Sequence, residues 1–268
     1  MTMLTTRTVA KPWGRSTLPA PFANPGLEPV GEIWFEPPPD FDALLVKYIF
    51  TSENLSVQCH PSDQQTLAQG LGRQGKEECW LVLDAEPGAR LGIGFDVPVD
   101  PETLRNAALD GSIERLLTWH SVVPGDFFYI PANTVHAIGA GISLIEVQQN
   151  SDITYRLYDY GRPRELHLDE GLAVALGNVH DERLRKRLPA EGSATLVDGP
   201  LFRLDRLDGP PDQSVLSRYD TGPALVIPLD CVVTVMGQGV GAGQCALAER
   251  LEAALFPKAG RSLIAQPI

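Results

Sequence analysis

At 268 residues, 43% of them hydrophobic, the chain is long enough for two modest domains or one large β unit and can bury a sizeable core. Its 22 Lys and Arg stand against 34 Asp and Glu, a formal net charge of −12, which disfavours phosphodiester contacts and sets nucleic acid aside as a partner. An acidic chain that handles an anionic small substrate must gather its few cations locally, and Lys76, Arg156 and Arg162 are the candidates.

The N-terminal run Met1 to Thr6 lacks the charged and apolar regions of a secretion signal, and no apolar stretch approaches the ~20 residues that span a bilayer. A cytoplasmic chain without membrane contact is expected. Residues 12 to 40 are rich in Pro and Gly, which predicts an irregular entry segment holding one short strand, Val30 to Phe35. The run Ala43 to Phe50 reads as a more buried strand. Short β runs follow at Leu55 to Cys59, Cys79 to Asp84, Arg90 to Phe95, Ser121 to Val123, Phe127 to Ile130, His136 to Ile138, Ser143 to Gln148 and Tyr155 to Tyr158, most of them separated by turn residues. Such spacing predicts an antiparallel sandwich or barrel.

Helices enter as insertions. Asp100-Pro101-Glu102 supplies an N-cap and a first-turn proline for a helix closing at Gly111, Ser112 starts another, and Ser62 to Ala68 is a weaker candidate ending at Gly70. Asp169 to Leu176 and Glu182 to Leu188 read as a helical connector. Residues 195 to 268 return to β runs, notably Ala224 to Ile227 and Cys231 to Met236.

Within Ser56-Val57-Gln58-Cys59-His60, residues two apart share a face, so the Gln58 amide and the His60 imidazole point together. Glu78, at the start of an apolar strand, and His136 complete a mixed nitrogen and oxygen donor set that suits zinc, or Mn, Fe or Co, with a position open for chemistry. Glu77 is the alternative carboxylate, but Glu78 has the strand parity of Trp80 and Val82. Cys59 and Cys79 neighbour these residues as possible soft ligands, yet the alternation that turns Gln58, His60 and Glu78 inward turns both thiols outward. The four cysteines form no CxxC pair, which fits a reducing compartment. Ser56 shares the face of Gln58 and is placed to touch substrate; Lys76 shares that of Glu78 and could hold a phosphate or a sugar hydroxyl. Glu32 is a weaker carboxylate candidate. His120, His167 and His180 fall outside the motifs.

The string Gly125-Asp126-Phe127-Phe128-Tyr129-Ile130-Pro131, running on to His136, resembles the second motif of the cupin barrel. Motif one differs from the usual His-x-His closely followed by Glu, since eighteen residues or so separate His60 from Glu78. One group of cupins carries that insertion: SVQCHP, GKEECW, GDFFYIPANTVHAIGAG and QQNSDITYRLYDYGR together resemble type I phosphomannose isomerases of the short bacterial form, as do Lys11-Pro12-Trp13-Gly14 and Gly31-Glu32. The resemblance covers the first 165 residues well and thins after about 195. It implies a mainly β cupin (jelly-roll) fold: a metal-binding catalytic cupin domain over 1–165, a helical connector over 166–194 and a degenerate cupin-like β domain over 195–268. That last unit would pack, shield the barrel or mediate association, with a homodimer one outcome.

The resemblance also implies metal ligands Gln58, His60, Glu78 and His136, a catalytic Arg156 and a nearby partner, Asp152. It further implies interconversion of mannose 6-phosphate and fructose 6-phosphate, a phosphorylated hexose, with one divalent metal ion. Proton transfer between C1 and C2 through an enediol needs positive charge where the enediolate oxygen develops, which a metal and Arg156 would supply. A base is needed too, and metal-bound water, Lys76, Glu32 and Asp152 stay open. Another phosphorylated or free aldose fits the same residues. The rivals are a non-catalytic sugar-binding or regulatory cupin and an Fe(II) cupin dioxygenase.

Overall fold

The computed structural model describes residues 2–23 and 26–268. Met1, Asn24 and Pro25, which fall in the expected N-terminal and irregular segments, lie outside the described residues. Two antiparallel sheets face each other across the first core. The five-stranded sheet runs Tyr155–Tyr158, Val57–Cys59, His136–Ile138, Arg90–Phe95, Leu117–Ser121. The seven-stranded sheet runs Arg185–Arg187, Asp126–Ile130, Glu78–Ala85, Ile142–Gln149, Leu44–Phe50, Val30–Glu36, Thr5–Arg15.

Leu44–Phe50 is buried at every position. Strand alternation explains why its pattern is continuous rather than alternating: Leu44, Val46, Tyr48 and Phe50 face a second unit, while Ile49 packs in the barrel core with Trp80, Val82 and Leu144. The second unit is a six-stranded sheet that includes Phe202–Asp208, Ala224–Pro228 and Arg261–Pro267, backed by a three-stranded sheet around Val233–Val235. Phe202, Leu204, Leu225, Ile227 and Leu263 join the outward side chains of the seven-stranded sheet in one core cluster. The outer face of the five-stranded sheet is covered too, by helices Pro101–Asp110 and Leu168–Val174, whose Leu104, Ala107, Ala108 and Val174 pack against Val57, Phe95, Ala137 and Leu157. Both faces of the barrel are therefore buried, and its interior holds the Trp80 cluster beside the polar site residues.

Several expectations are corrected. The entry segment is regular as far as Arg15, because Thr5–Arg15 is an edge strand whose register with Val30–Glu36 shifts between Ala10 and Arg15. Pro12 sits in that shifted stretch, where no ladder bond is required, and a Cβ on Gly14 would stand 2.4 Å from the Val30 carbonyl carbon. The edge strand Thr2–Met3 crosses to the second unit and pairs with Ala246–Ala248. The segment expected at Ser121 to Val123 forms instead as Leu117–Ser121. Glu182 to Leu188 is one 3₁₀ turn, Glu182–Leu184, and a strand, Arg185–Arg187, that pairs with Asp126–Ile130.

The helices form where caps dictate. Ser62 and Gln65 build a capping box for Asp63–Gln69, and Gly70 closes it in the left-handed region at φ 68°. Asp100 accepts from the backbone N–H groups of Glu102 and Thr103 at the start of Pro101–Asp110.

Asp126 anchors the turn before His136. Its Oδ2 accepts from Val123 N at 3.0 Å, and Arg187 donates to both its oxygens at 2.7 and 3.0 Å. Burial alone would raise this carboxyl, but the Arg187 and Val123 donors outweigh it and hold it below the ordinary value. Asp126→Asn should cost about 1–2 kcal/mol, with the Arg187 share reduced because that side chain is 61% exposed. A depressed carboxyl contributes stability above its unfolded value of about 3.9 and loses it as pH falls through the folded value. Urea melts should therefore show the difference between the two proteins at pH 7 and its narrowing towards pH 3; an equal difference at both would contradict the ion-pair account.

Candidate metal centre and active site

Register brings the site together. Gln58 is paired on one side with His136 and on the other with Arg156, so three side chains from separate strands stand in one row across the five-stranded sheet. Glu78, Trp80 and Glu146 come from the facing sheet, where Glu146 is paired with both Trp80 and Lys47.

His60, Glu78 and His136 are buried, and each offers a donor atom within 4.8 Å of the others. His60 Nδ1 is 2.9 Å from the Ile153 carbonyl and His136 Nδ1 is 2.9 Å from that of Thr134. A carbonyl only accepts, so each Nδ1 carries the proton and each Nε2 presents a lone pair, 3.6 Å from Glu78 Oε2 and 3.4 Å from Glu78 Oε1 respectively. Burial, then the Lys76 charge, pushes His60 well below its ordinary pKa and His136 down to about 4. Both rings are neutral at neutral pH, the form a metal binds.

Both Glu78 oxygens are buried, and Oε1 has no hydrogen-bond donor among the described residues. Lys76 Nζ stands 2.6 Å from Glu78 Oε2 and 3.0 Å from His60 Nε2, a close ion pair in which an ammonium touches two of the donors. Burial and the neighbouring Glu146 push Glu78 up to about 7 against the pull of Lys76. A carboxylate and two imidazole lone pairs facing one point, with Glu78 Oε1 thus free of any donor, fit a divalent cation of the zinc type. Gln58 touches the group through its amide, 3.3 Å from His136 Nε2, while its oxygen accepts from Ser56 Oγ at 3.3 Å. A half-turn of the amide exchanges the nitrogen for the oxygen a metal needs.

A cavity of about 290 Å³ adjoins the cluster, with Ser56, Gln58, Lys76, Asp152 and Arg156 in its wall. Arg156 is half-buried, donates from NH1 to the Glu165 carbonyl at 2.7 Å, and keeps its buried Nε without a partner. Asp152 is exposed at the rim, and no ion pair joins it to Arg156 among the described residues. Arg162 is corrected as a site cation: it pairs with Asp159 at 2.7 Å and donates to the Asn54 carbonyl, away from the cavity wall. Arg164, held by the same Asp159, lines the cavity instead.

Lys47 and Glu146 were not legible as site residues. Lys47 Nζ lies 3.3 Å from Glu146 Oε1, and Trp80 Nε1 donates to Glu146 Oε2 at 2.9 Å. Burial opposes the Glu146 charge, but Lys76 and Lys47 outweigh it and keep this carboxyl below its ordinary pKa. The available signal was one charge in the middle of each apolar run, ALLVKYIF and ISLIEV. Glu32 also lines the cavity, accepting from Trp34 Nε1 at 2.5 Å and pairing with Lys11 at 3.4 Å.

The thiols face the other way. Cys59 Sγ donates to the Gly171 carbonyl at 3.5 Å and Cys79 Sγ to that of Val147 at 3.4 Å. Burial pushes Cys59 up to about 12 and Cys79 well above its ordinary value, so neither offers a thiolate. Cys59→Ser and Cys79→Ser should keep their full metal content by elemental analysis; loss in either would make a thiolate a ligand.

Fold and site together define a cupin barrel with a buried nitrogen and oxygen donor cluster beside a polar cavity. No family model matches the chain. Curated homologues do: a mannose-6-phosphate isomerase of Bacillus subtilis is 44% identical over 176 residues, 61% of this chain and 54% of the relative. One of Streptococcus mutans is 42% identical over 167 residues, 59% of this chain and 52% of that one. The chain thus matches about half the length of these relatives. Among solved structures, the mannose 6-phosphate isomerase of Bacillus subtilis superposes with a TM-score of 0.75 at 22% identity, covering 98% of each chain. A zinc-bound mannose 6-phosphate isomerase gives 0.73 at 14% identity over 99% of this chain and 98% of that one. The fold is that of the cupin phosphomannose isomerases. No helix among the described residues is long and apolar enough to cross a membrane.

Proposed function

We propose that the chain is a metal-dependent aldose-ketose isomerase that interconverts mannose 6-phosphate and fructose 6-phosphate with one zinc ion held by Gln58, His60, Glu78 and His136. The observation that carries the anionic substrate is charge: in a chain of net charge −12, the cavity wall holds Lys11, Lys47, Lys76, Arg156 and Arg164 against three carboxylates. The homologues' names supply the reaction and the zinc-bound neighbour the metal. When bound, the metal would polarise substrate oxygens as a Lewis acid.

The chain's own residues supply the rest. The Arg156 guanidinium presents unfilled N–H donors to a phosphate or to the developing enediolate, with the charge and planar fork that either requires. Lys76 is a buried ammonium, since Glu78 and Glu146 outweigh the burial that would lower its pKa; it donates a proton in a hydrogen bond to a substrate oxygen. Ser56 offers a hydroxyl to a sugar oxygen. The ionised Glu146, absent from the candidates legible in sequence, joins Glu32 and Asp152 as a carboxylate able to take the carbon-bound proton. Residues 1–165 form the catalytic unit in this reading, 166–194 the connector and 195–268 a degenerate cupin that covers the barrel's outer sheet.

The test is an isomerisation assay over a panel of hexose 6-phosphates with zinc-reconstituted protein, run without oxygen. Turnover of mannose 6-phosphate is expected. Tight sugar-phosphate binding with no turnover would replace this reading by a binding cupin, and activity that consumes oxygen by a dioxygenase.

A further inference from the structure

A second cavity, about 490 Å³, lies between the barrel's outer sheet and the second unit, on the far side of the seven-stranded sheet from the metal cluster. That volume is in the range of small-molecule pockets. Its apolar wall comes from Phe22, Tyr48, Phe50 and Leu81, with the Phe22 ring 4.6 Å from that of Tyr48 and 5.4 Å from that of Phe50.

Two buried polar side chains break this wall. Arg206 follows Phe202 and Leu204 on the same face of its strand, so it points into the layer between the sheets. It is 3% exposed, yet among the described residues no carboxylate lies within ion-pair distance of it. Its outer nitrogens donate to the carbonyls of Pro189 at 2.8 Å, Gly192 at 2.5 Å and Glu191 at 3.4 Å, and its Nε is buried with no partner. Ser143, 2% exposed and on the face of Ile145 and Val147, likewise has a buried Oγ with no partner. Both side chains line the cavity. Asp208, on the same strand, acts on Arg206 only from beyond ion-pair distance, and the Arg261 charge opposes it. A buried guanidinium without a contacting counter-charge costs free energy unless an anion or water meets it. The surrounding charges allow an anion: Arg261 also lines the cavity, paired with Asp230 at 2.7 Å, and among the described residues the one lining carboxylate, Asp84, is solvent-exposed.

We infer that this interlayer cavity is a second ligand site that takes a small amphipathic carboxylate, its head at Arg206 and Ser143 and its apolar body against the aromatic wall. The two cavities share no lining residue, so a ligand here would not compete with substrate.

The probe is octanoate, titrated calorimetrically into the full chain, with octan-1-ol as the uncharged counterpart of equal tail. Saturable binding of one octanoate per chain is expected, about tenfold or more tighter than the alcohol, since a hydrogen bond to a charged group is worth that much. Arg206→Met should remove the preference for the acid, and Ser143→Leu should fill the space and weaken both ligands. Arg206 also holds the loop at residues 189–192, so a melting curve accompanies each variant; if Arg206→Met does not fold, Ser143→Leu and the acid-to-alcohol ratio decide. Absence of saturable octanoate binding, equal affinity for acid and alcohol, or unchanged binding in the folded variants would overturn the assignment and leave a water-filled gap.

Discussion

His60→Ala and His136→Ala are each expected to leave a chain that folds but holds almost no zinc. Both imidazoles are fixed with Nε2 towards Glu78 by a carbonyl bond at Nδ1, so removing either takes away a donor already oriented and neutral. Losing even an outer partner of a metal ligand weakens binding by about 10–100-fold, and a ligand itself should cost about 10²-fold or more. The fold should survive, because the barrel core of Trp80, Val82, Leu91, Ile93 and Phe128 is buried independently of the cluster, although His136 packs edge-on against Trp80 at 5.3 Å and its loss opens a small void there. The readouts are zinc per chain after dialysis and the rise in melting temperature on adding zinc, which measures binding to the folded state. Unchanged zinc content in both variants would remove these histidines from the site.

Gln58, His60 and Glu78 were visible in sequence because strand alternation has a period of two, and a parity argument needs only neighbours along the chain. His136 was visible through the turn before it, where Gly125 takes φ 91° and Asp126 ties the chain to Arg187. Lys47 and Glu146 were hidden for the opposite reason. Their meeting depends on which residues stand opposite across two strands nearly a hundred positions apart, and a periodic pattern does not set register. Charge inside a buried run was a signal, but it named no partner. The same limit hid the crossing of Thr2–Met3 into the second sheet and the edge strand Arg185–Arg187, whose basic residues look helical in isolation yet lie against Asp126 and the Phe128 ring. Arg162 was misplaced because sequence nearness to Arg156 says nothing about Asp159, which claims Arg162 and orients Arg164.

Arg156→Lys is expected to retain zinc and lose about 10²-fold in turnover. Arg156 is paired with Gln58 in the row that ends at His136, so it enters the cavity beside the donor cluster without touching a ligand through any bond of its own. One guanidinium nitrogen is committed to the Glu165 carbonyl and its Nε is left without a partner inside the protein. That arrangement holds the plane of the fork while leaving donors for an oxyanion. Lysine restores the charge but neither the plane nor the tether, so the change separates charge from geometry. If the fork stabilises the enediolate, the loss falls on kcat, because an interaction made only as charge develops lowers the barrier and not the ground state. If it anchors the phosphate, which is charged throughout, KM rises and kcat stays. Steady-state rates with mannose 6-phosphate tell these apart, and wild-type values for both constants would make Arg156 a structural residue whose main bond is the one to Glu165.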